Sequence, residues 1–272
     1  MTDWVGVCRQ AREAVERVLA ELPTRIEREP VVGAGEGGDE TTAVDLAAED
    51  AVVGRLAALH ESGLDFTLVS EELGERAFGD PGAPLRVVLD PIDGSLNAKR
   101  GIPFFSVSVA IAEGDAMRDV TFGYVFDFGT GEEWVARRGE GAFLDEERLD
   151  GPGPKDEIEI VSFEATRTDL VAEKAPGIVG LAYRTRIMGS LALSLCHLAA
   201  GRVDAVCSLK PARSVDIAAA QLLVRERGLA IDLPEDESFE GAALDVVARS
   251  RVVAASTEAR CRELFEALSS SR

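Results

Sequence analysis

Val87-Val-Leu-Asp-Pro-Ile-Asp-Gly-Ser-Leu-Asn97 is the most informative stretch of this 272-residue chain. An apolar run ends abruptly at Asp90, and Asp93 follows across Pro91. Carboxylates at the end of a buried strand stand where α/β sheets project their functional groups. Pro91 stiffens the turn, and Gly94 lets the backbone approach a ligand closely. Two acids this close repel unless a cation lies between them. Taken alone, the stretch also reads as a plain polar turn.

The same pattern recurs on either side. Leu68-Val-Ser-Glu-Glu-Leu-Gly74 ends an apolar run with Glu71 and Glu72, and Glu72 reads as a solvated turn charge. Asp216, in Arg213-Ser-Val-Asp-Ile-Ala-Ala-Ala220, falls near a predicted helix start, where capping by itself accounts for an acid.

Composition narrows the chemistry. At 46% hydrophobic residues the chain is globular. No apolar run approaches the roughly 18 residues of a membrane span. The N-terminal residues lack the basic-then-apolar order of a signal peptide, so a soluble cytoplasmic protein is expected. Cys8, Cys196, Cys207 and Cys261 are scattered, which disfavours a disulfide framework or a zinc site. With only His60 and His197, a Ser-His-Asp triad or a polyhistidine metal site has almost no material. Carboxylates remain as the abundant functional groups. The net charge of −20 argues against nucleic-acid binding. Lysine is scarce (Lys99, Lys155, Lys174 and Lys210 only) and acid is in excess, a balance that suits a high-salt cytoplasm.

Periodicity predicts helices over 3–21 and from Val44 to Leu59, then strands at 65–70, 85–90, 104–112, 120–126, 132–137 and 141–144. Asp150-Gly-Pro-Gly-Pro154 is the best domain boundary. It separates an N-terminal α+β domain, 1–150, from a C-terminal α/β domain, 151–272, with strands at 157–163, 203–208 and 251–255. Helices are expected at 190–200, 214–227 and from Thr257. The segment Val31 to Asp39 reads as a glycine-rich loop. Its Gly33, Gly35 and Gly38 match G-x-G-x-x-G, but Glu36, Asp39 and Glu40 would repel a pyrophosphate, so a mobile lid is the better reading.

The combination of motifs resembles the inositol monophosphatase-like superfamily, closest to its archaeal-type inositol monophosphatase / fructose 1,6-bisphosphatase members. Asp90-Pro-Ile-Asp-Gly-Ser95 matches D-P-[ILM]-D-G-[ST], and Val215-Asp-Ile-Ala-Ala219 matches [WV]-D-x-[AS]-[AG]. Arg186-Ile-Met-Gly-Ser-Leu-Ala-Leu193 and Ala199-Ala-Gly-Arg-Val-Asp-Ala205 resemble two further motifs, in the same order. The resemblance covers nearly the whole chain. It departs from the family's usual pattern in lacking Trp before Asp216 and a basic loop residue before Asp45.

The resemblance implies an α/β layered sandwich with its site between the halves, and a homodimer. It implies Mg2+-dependent hydrolysis of small sugar or polyol phosphates, with two or three ions and Mn2+ as a substitute. Glu71, Asp90, the Ile92 carbonyl, Asp93 and Asp216 are the implied metal ligands, and hard oxygens suit these ions. Ser95 and Asp45, with Glu71, are implied to handle the attacking water. Asp93, Gly94 and Ser95 would face the phosphate, and Gly189 and Ser190 the sugar. Arg186, Lys210 and Arg213 are candidates for a second phosphate, and Glu36 or Asp39 for a third ion. A 3′-phosphoadenosine-type phosphatase and a non-catalytic sugar-phosphate-binding regulator remain as alternatives.

Overall fold

The computed structural model describes residues 2–38, 40–164 and 167–270. Helix α1 (Trp4–Glu21) starts at Asp3, whose side chain accepts from the Gly6 N–H, and buries Cys8, Ala11, Val15 and Val18 on one face. A short helix, α2 (Arg25–Arg28), follows. Strands β1 (Val31–Ala34) and β2 (Glu40–Thr42) pair antiparallel, and α3 (Ala43–Glu61) leaves directly from β2. The predicted glycine loop is therefore half strand. The four residues of β1 are all exposed, so its sequence shows no buried alternation. Asp39 lies outside the described residues.

Next come β3 (Phe66–Ser70), β4 (Gly74–Phe78), β5 (Leu85–Asp93), the short helix α4 (Ser95–Arg100), β6 (Ser106–Glu113), β7 (Val120–Asp127), β8 (Glu133–Arg137), β9 (Gly141–Leu144) and β10 (Glu147–Arg148). They form an eight-stranded sheet in the order β10-β9-β8-β7-β6-β5-β3-β4. Every pairing is antiparallel except β3 with β5. That parallel pair sets Ser70 beside Leu89, so Glu71 and Asp90 come at the same end of the two neighbouring strands.

The second half holds β11 (Ile158–Glu164), α5 (Thr168–Lys174), β12 (Ala182–Arg186), α6 (Leu191–Ala199), β13 (Ala205–Ser208), α7 (Ser214–Glu226), β14 (Ala230–Asp232), β15 (Val253–Ala255) and α8 (Glu258–Ser269). Its five strands run β12-β11-β13-β15-β14, with β11 parallel to β12 and β13.

The layers follow from burial. Helices α1 and α3 cover one face of the large sheet through Val15, Val52, Leu56, Phe66 and Leu89. Helices α6 and α7 fill the space between the two sheets, with Leu193, Leu195, Ala219 and Leu223 packed against Val88, Val125 and Trp134. Helix α8 covers the outer face of the small sheet through Cys261, Leu264 and Leu268. The result is a five-layer α-β-α-β-α sandwich, in which apolar burial supplies the main driving force. All four cysteines are buried free thiols. No helix among the described residues is long and apolar enough to cross a membrane.

Candidate active site

Three acids from three elements meet at the C-terminal ends of β3 and β5. Carboxylate oxygens of Glu71, Asp90 and Asp216 lie within 4.8 Å of one another. Glu71 follows β3, Asp90 sits near the end of β5, and Asp216 stands in the first turn of α7. Burial pushes the Glu71 carboxyl up to about 8, against the pull of Arg213 and with the push of Asp216. Asp90 is raised well above the usual range by burial, then by Glu71, Asp93 and Asp216.

Asp93 stands beside this trio. The ladder between β5 and β6 shifts register between Asp90 and Asp93, a bulge that re-aims the strand end. Asp93 Oδ2 accepts from the Ser190 hydroxyl and, at 2.8 Å, from the Ala192 N–H at the start of α6. Burial still raises it to about 7, against those hydrogen bonds.

The Ile92 N–H donates to Asp90 Oδ1 at 3.0 Å, and the Ile92 carbonyl accepts from the Ser95 hydroxyl at 2.9 Å. Gly94 has φ +93°, and a side chain there would meet the Gly189 carbonyl at 3.0 Å. Asp45 caps α3: its Oδ2 accepts from the Thr42 N–H and hydroxyl. Asp45 Oδ1 is buried and has no hydrogen-bond partner among the described residues. A cavity of about 320 Å³ adjoins the acids, and Asp93, Gly189, Lys210, Arg213 and Asp216 line it. Arg186 is not on that wall; it is exposed and donates to the Thr185 carbonyl.

The glycine segment lies against the acids. Glu36 and Gly37 donate their N–H groups to the carbonyls of Glu72 and Glu71, at 3.2 and 2.9 Å. Glu72 is half-buried and accepts from the Thr41 hydroxyl, which corrects its reading as a solvated turn charge. The segment forms a hairpin and not a strand-to-helix phosphate loop, so the dinucleotide match has no structural counterpart.

Four supporting residues escaped the sequence reading. Glu49, wholly buried on α3, accepts from the Ser70 hydroxyl and from the N–H groups of Glu72 and Leu73, and so fixes the turn that carries Glu71. Its position one helical turn after Asp45, on the same apolar face, was the available signal. Glu164, on the cavity wall, accepts from the Ser162 and Ser194 hydroxyls and from the Gly189 N–H at 2.9 Å. Asn97 donates to the carbonyls of Phe104 and Met188. Arg249 lines the cavity and donates to the Gly37 carbonyl.

Two other places were candidates. Asp127, Glu132 and His197 also cluster, but Arg202 grips both Glu132 oxygens at 2.6 and 2.7 Å, and Asp127 is held by Gly129 and Thr130. A wider cleft, about 720 Å³, opens beside Arg225, Phe239 and Cys261, where no three acids converge among the described residues.

The fit to divalent cations is a matter of donors. The trio offers hard carboxylate oxygens only, in a buried setting where mutual repulsion drives protonation unless positive charge is supplied. Converging acids beside a cavity in a five-layer sandwich, together with the family match and relatives that follow, make the chain a phosphoric monoester hydrolase. The chain belongs to the inositol monophosphatase family, whose model matches residues 5–270. It is 34% identical to the fructose-1,6-bisphosphatase/inositol-1-monophosphatase of Methanothermobacter thermautotrophicus, over 93% of this chain and 91% of the relative. The enzyme of the same name from Thermococcus kodakarensis is 32% identical, over 95% and 94%. A crystal structure of an inositol monophosphatase-fructose 1,6 bisphosphatase matches with a TM-score of 0.83 and 26% identity, over 98% of this chain and all of that one.

Proposed function

We propose that this phosphatase hydrolyses small sugar or polyol phosphates, inositol 1-phosphate and fructose 1,6-bisphosphate among them, with Mg2+ as its resident cation and Mn2+ as a substitute. The convergence of Glu71, Asp90 and Asp216 carries this reading. The names of the archaeal relatives support the substrate class.

Glu71, Asp90, the Ile92 carbonyl, Asp93 and Asp216 would hold two ions, with a third, weaker one beside Glu71. When bound, such ions neutralise phosphoryl oxygens, acidify water and stabilise the leaving alkoxide. The chain's own groups do the rest. Ser95 donates its hydroxyl hydrogen bond to the Ile92 carbonyl, which leaves its oxygen able to accept a hydrogen bond from the attacking water and orient it. Asp45 Oδ1, without a hydrogen-bond partner among the described residues, is the matching base. The Gly94 and Ser95 backbone faces the phosphate, and the Gly189–Ser190 turn the sugar. Lys210 and Arg213, on the cavity wall, suit a second phosphate. Arg249 joins them, while Arg186 has the weakest claim.

The division into 1–150 and 151–272, a homodimer, a cytoplasmic location and adaptation to high salt belong to the same proposal. The charge of −20 supports the last of these.

The deciding experiment is phosphate release in Mg2+ from inositol 1-phosphate, fructose 1,6-bisphosphate and adenosine 3′,5′-bisphosphate. Release from the first two supports the proposal. Release from the third alone favours the nucleotide phosphatase, and no release from any favours a binding protein.

A further inference from the structure

Arg213 occupies an unusual place for a residue on a substrate-cavity wall. The residue is 9% exposed, and its guanidinium lies inside the acid cluster. Nη1 sits 2.5 Å from Glu71 Oε1, and Nη2 3.1 Å from Asp216 Oδ1. The Arg213 backbone N–H donates to Asp216 Oδ2 at 2.8 Å, so one residue engages both oxygens of that carboxylate. Gly37 closes over the guanidinium: a Cβ at that position would lie 2.7 Å from Nη1. Burial works against the Arg213 charge, but Asp216, Glu71 and Asp90 more than offset it and keep the group a cation.

We propose that Arg213 is the resident counter-cation of the acid cluster: it bridges Glu71 to Asp216 when no divalent ion is bound, and a divalent ion must displace it. This rests on the metal-ligand reading of the cluster. Fully ionised, the three converging acids carry three negative charges against the guanidinium's one, so a divalent ion is the better match to the ionised cluster. The two cannot share the same oxygens. Glu71 Oε1 and Asp216 Oδ1 both face the guanidinium, and like charges a few ångströms apart in a buried site repel strongly. Exchange also has a destination. Arg213 lines the cavity together with Lys210 and Arg249, so a displaced guanidinium swings towards the place an anionic substrate fills. Ion binding would thereby release a substrate contact, and the two ligands would favour each other.

The test is Mn2+ binding by calorimetry to metal-free protein, with the melting temperature in EDTA as the second readout. Arg213→Met keeps most of the bulk and removes the charge; Arg213→Lys keeps the charge but cannot bridge. Arg213→Met is expected to bind Mn2+ about tenfold tighter or more, on the scale of couplings between close buried charges. It should also melt lower than wild type in EDTA and gain more from saturating Mn2+. Arg213→Lys should fall between the two, and it carries the test if Arg213→Met folds only with Mn2+ present. Equal or weaker Mn2+ affinity in the folded variants overturns the inference alone. A wild type that binds no Mn2+ overturns it together with the metal reading.

Discussion

The backbone N–H of Ala192 donates to Asp93 Oδ2 across 2.8 Å, and the Ser190 hydroxyl donates to the same oxygen. These bonds tie the end of β5 to the start of α6. Ser190 also accepts from the Leu193 N–H as the cap of α6. One hydroxyl thus serves a helix start and an acid of the site. Ser190→Ala leaves Asp93 with the Ala192 bond only and removes the cap. Loss of a buried bond to a charged group and of a cap together cost about 2 kcal/mol. Thermal unfolding should show a lower melting temperature, and phosphate release should fall while substrate is still bound. A variant that matches wild type in both would mean Asp93 is fixed by other contacts.

Asp90→Asn separates chemistry from folding. Asparagine keeps an oxygen for the Ile92 N–H, which now donates to Asp90 Oδ1. It also removes a buried acid crowded by Glu71, Asp93 and Asp216. Metal-free stability should therefore hold or rise. Turnover in Mg2+ should drop roughly a thousandfold, the scale of losing a group that organises transition-state charge. EDTA should silence the wild type to a similar degree. Retained turnover in Asp90→Asn would remove this carboxylate from the reaction.

The site's acids were legible because each interrupts an apolar pattern at the end of an element: Asp90 after Val87–Leu89, Glu71 after Leu68–Ser70, Asp216 before the Ile217–Ala220 run. Their convergence was legible only through motif order, since periodicity places a strand but not its neighbours. The parallel pairing of β3 with β5, which aligns Glu71 with Asp90, spans a connection that includes β4. Glu49 and Glu164 went unread because their partners are distant: Ser70 and Leu73 for one, Gly189 and Ser194 for the other. Strand β12 was missed because four of its five residues are exposed at a sheet edge, which erases the period-two signal. Arg249 lies outside helix and strand, where no pattern marks a side chain as facing a cavity.

Gly123 reports on the seat of α7. It lies in β7, and a Cβ there would sit 2.4 Å from the Ala219 carbonyl oxygen. Backbone meets backbone at this point, so neither side yields by rotating a side chain. Gly123→Ala should lose about 1–3 kcal/mol by overpacking. Because the same helix carries Asp216 in its first turn, Mn2+ affinity should weaken as well. Denaturant unfolding and metal titration check the two effects separately. Unchanged stability would show that α7 can shift off the sheet without cost.

The charge of −20 predicts a response to salt. Raising KCl from 0.1 to 1 M shortens the screening length from about 10 to about 3 Å. Repulsion among surface acids should fade, and the melting temperature should rise. Exposed pairs such as Arg25 with Glu29 weaken in the same range, but each contributes little. A melting temperature flat or falling with KCl would exclude salt adaptation.

Glu164 gives a pH dependence with a definite sign. Burial raises its carboxyl to about 7, against the Ser194, Gly189 and Ser162 hydrogen bonds, while the unfolded chain's glutamate titrates near 4.5. Below that lower value both states hold the proton, and the group contributes nothing to the slope. Between about 4.5 and 7 the folded chain holds a proton that the unfolded chain has released. Stability therefore falls as pH rises through this window and levels off above it, by on the order of 3 kcal/mol for full expression of the shift. Glu49, raised to about 7 by burial, adds to the same slope. Glu164→Gln cannot titrate, so it removes one share of the slope. It also sets an amide against the Gly189 N–H, which costs the same at every pH and leaves the slope untouched. Urea unfolding in EDTA at several values from pH 4.5 to 8 reads the difference. If the variant loses stability with pH as steeply as wild type, Glu164 is ionised in the folded protein throughout the range, and its bonds to Ser162, Ser194 and Gly189 outweigh its burial.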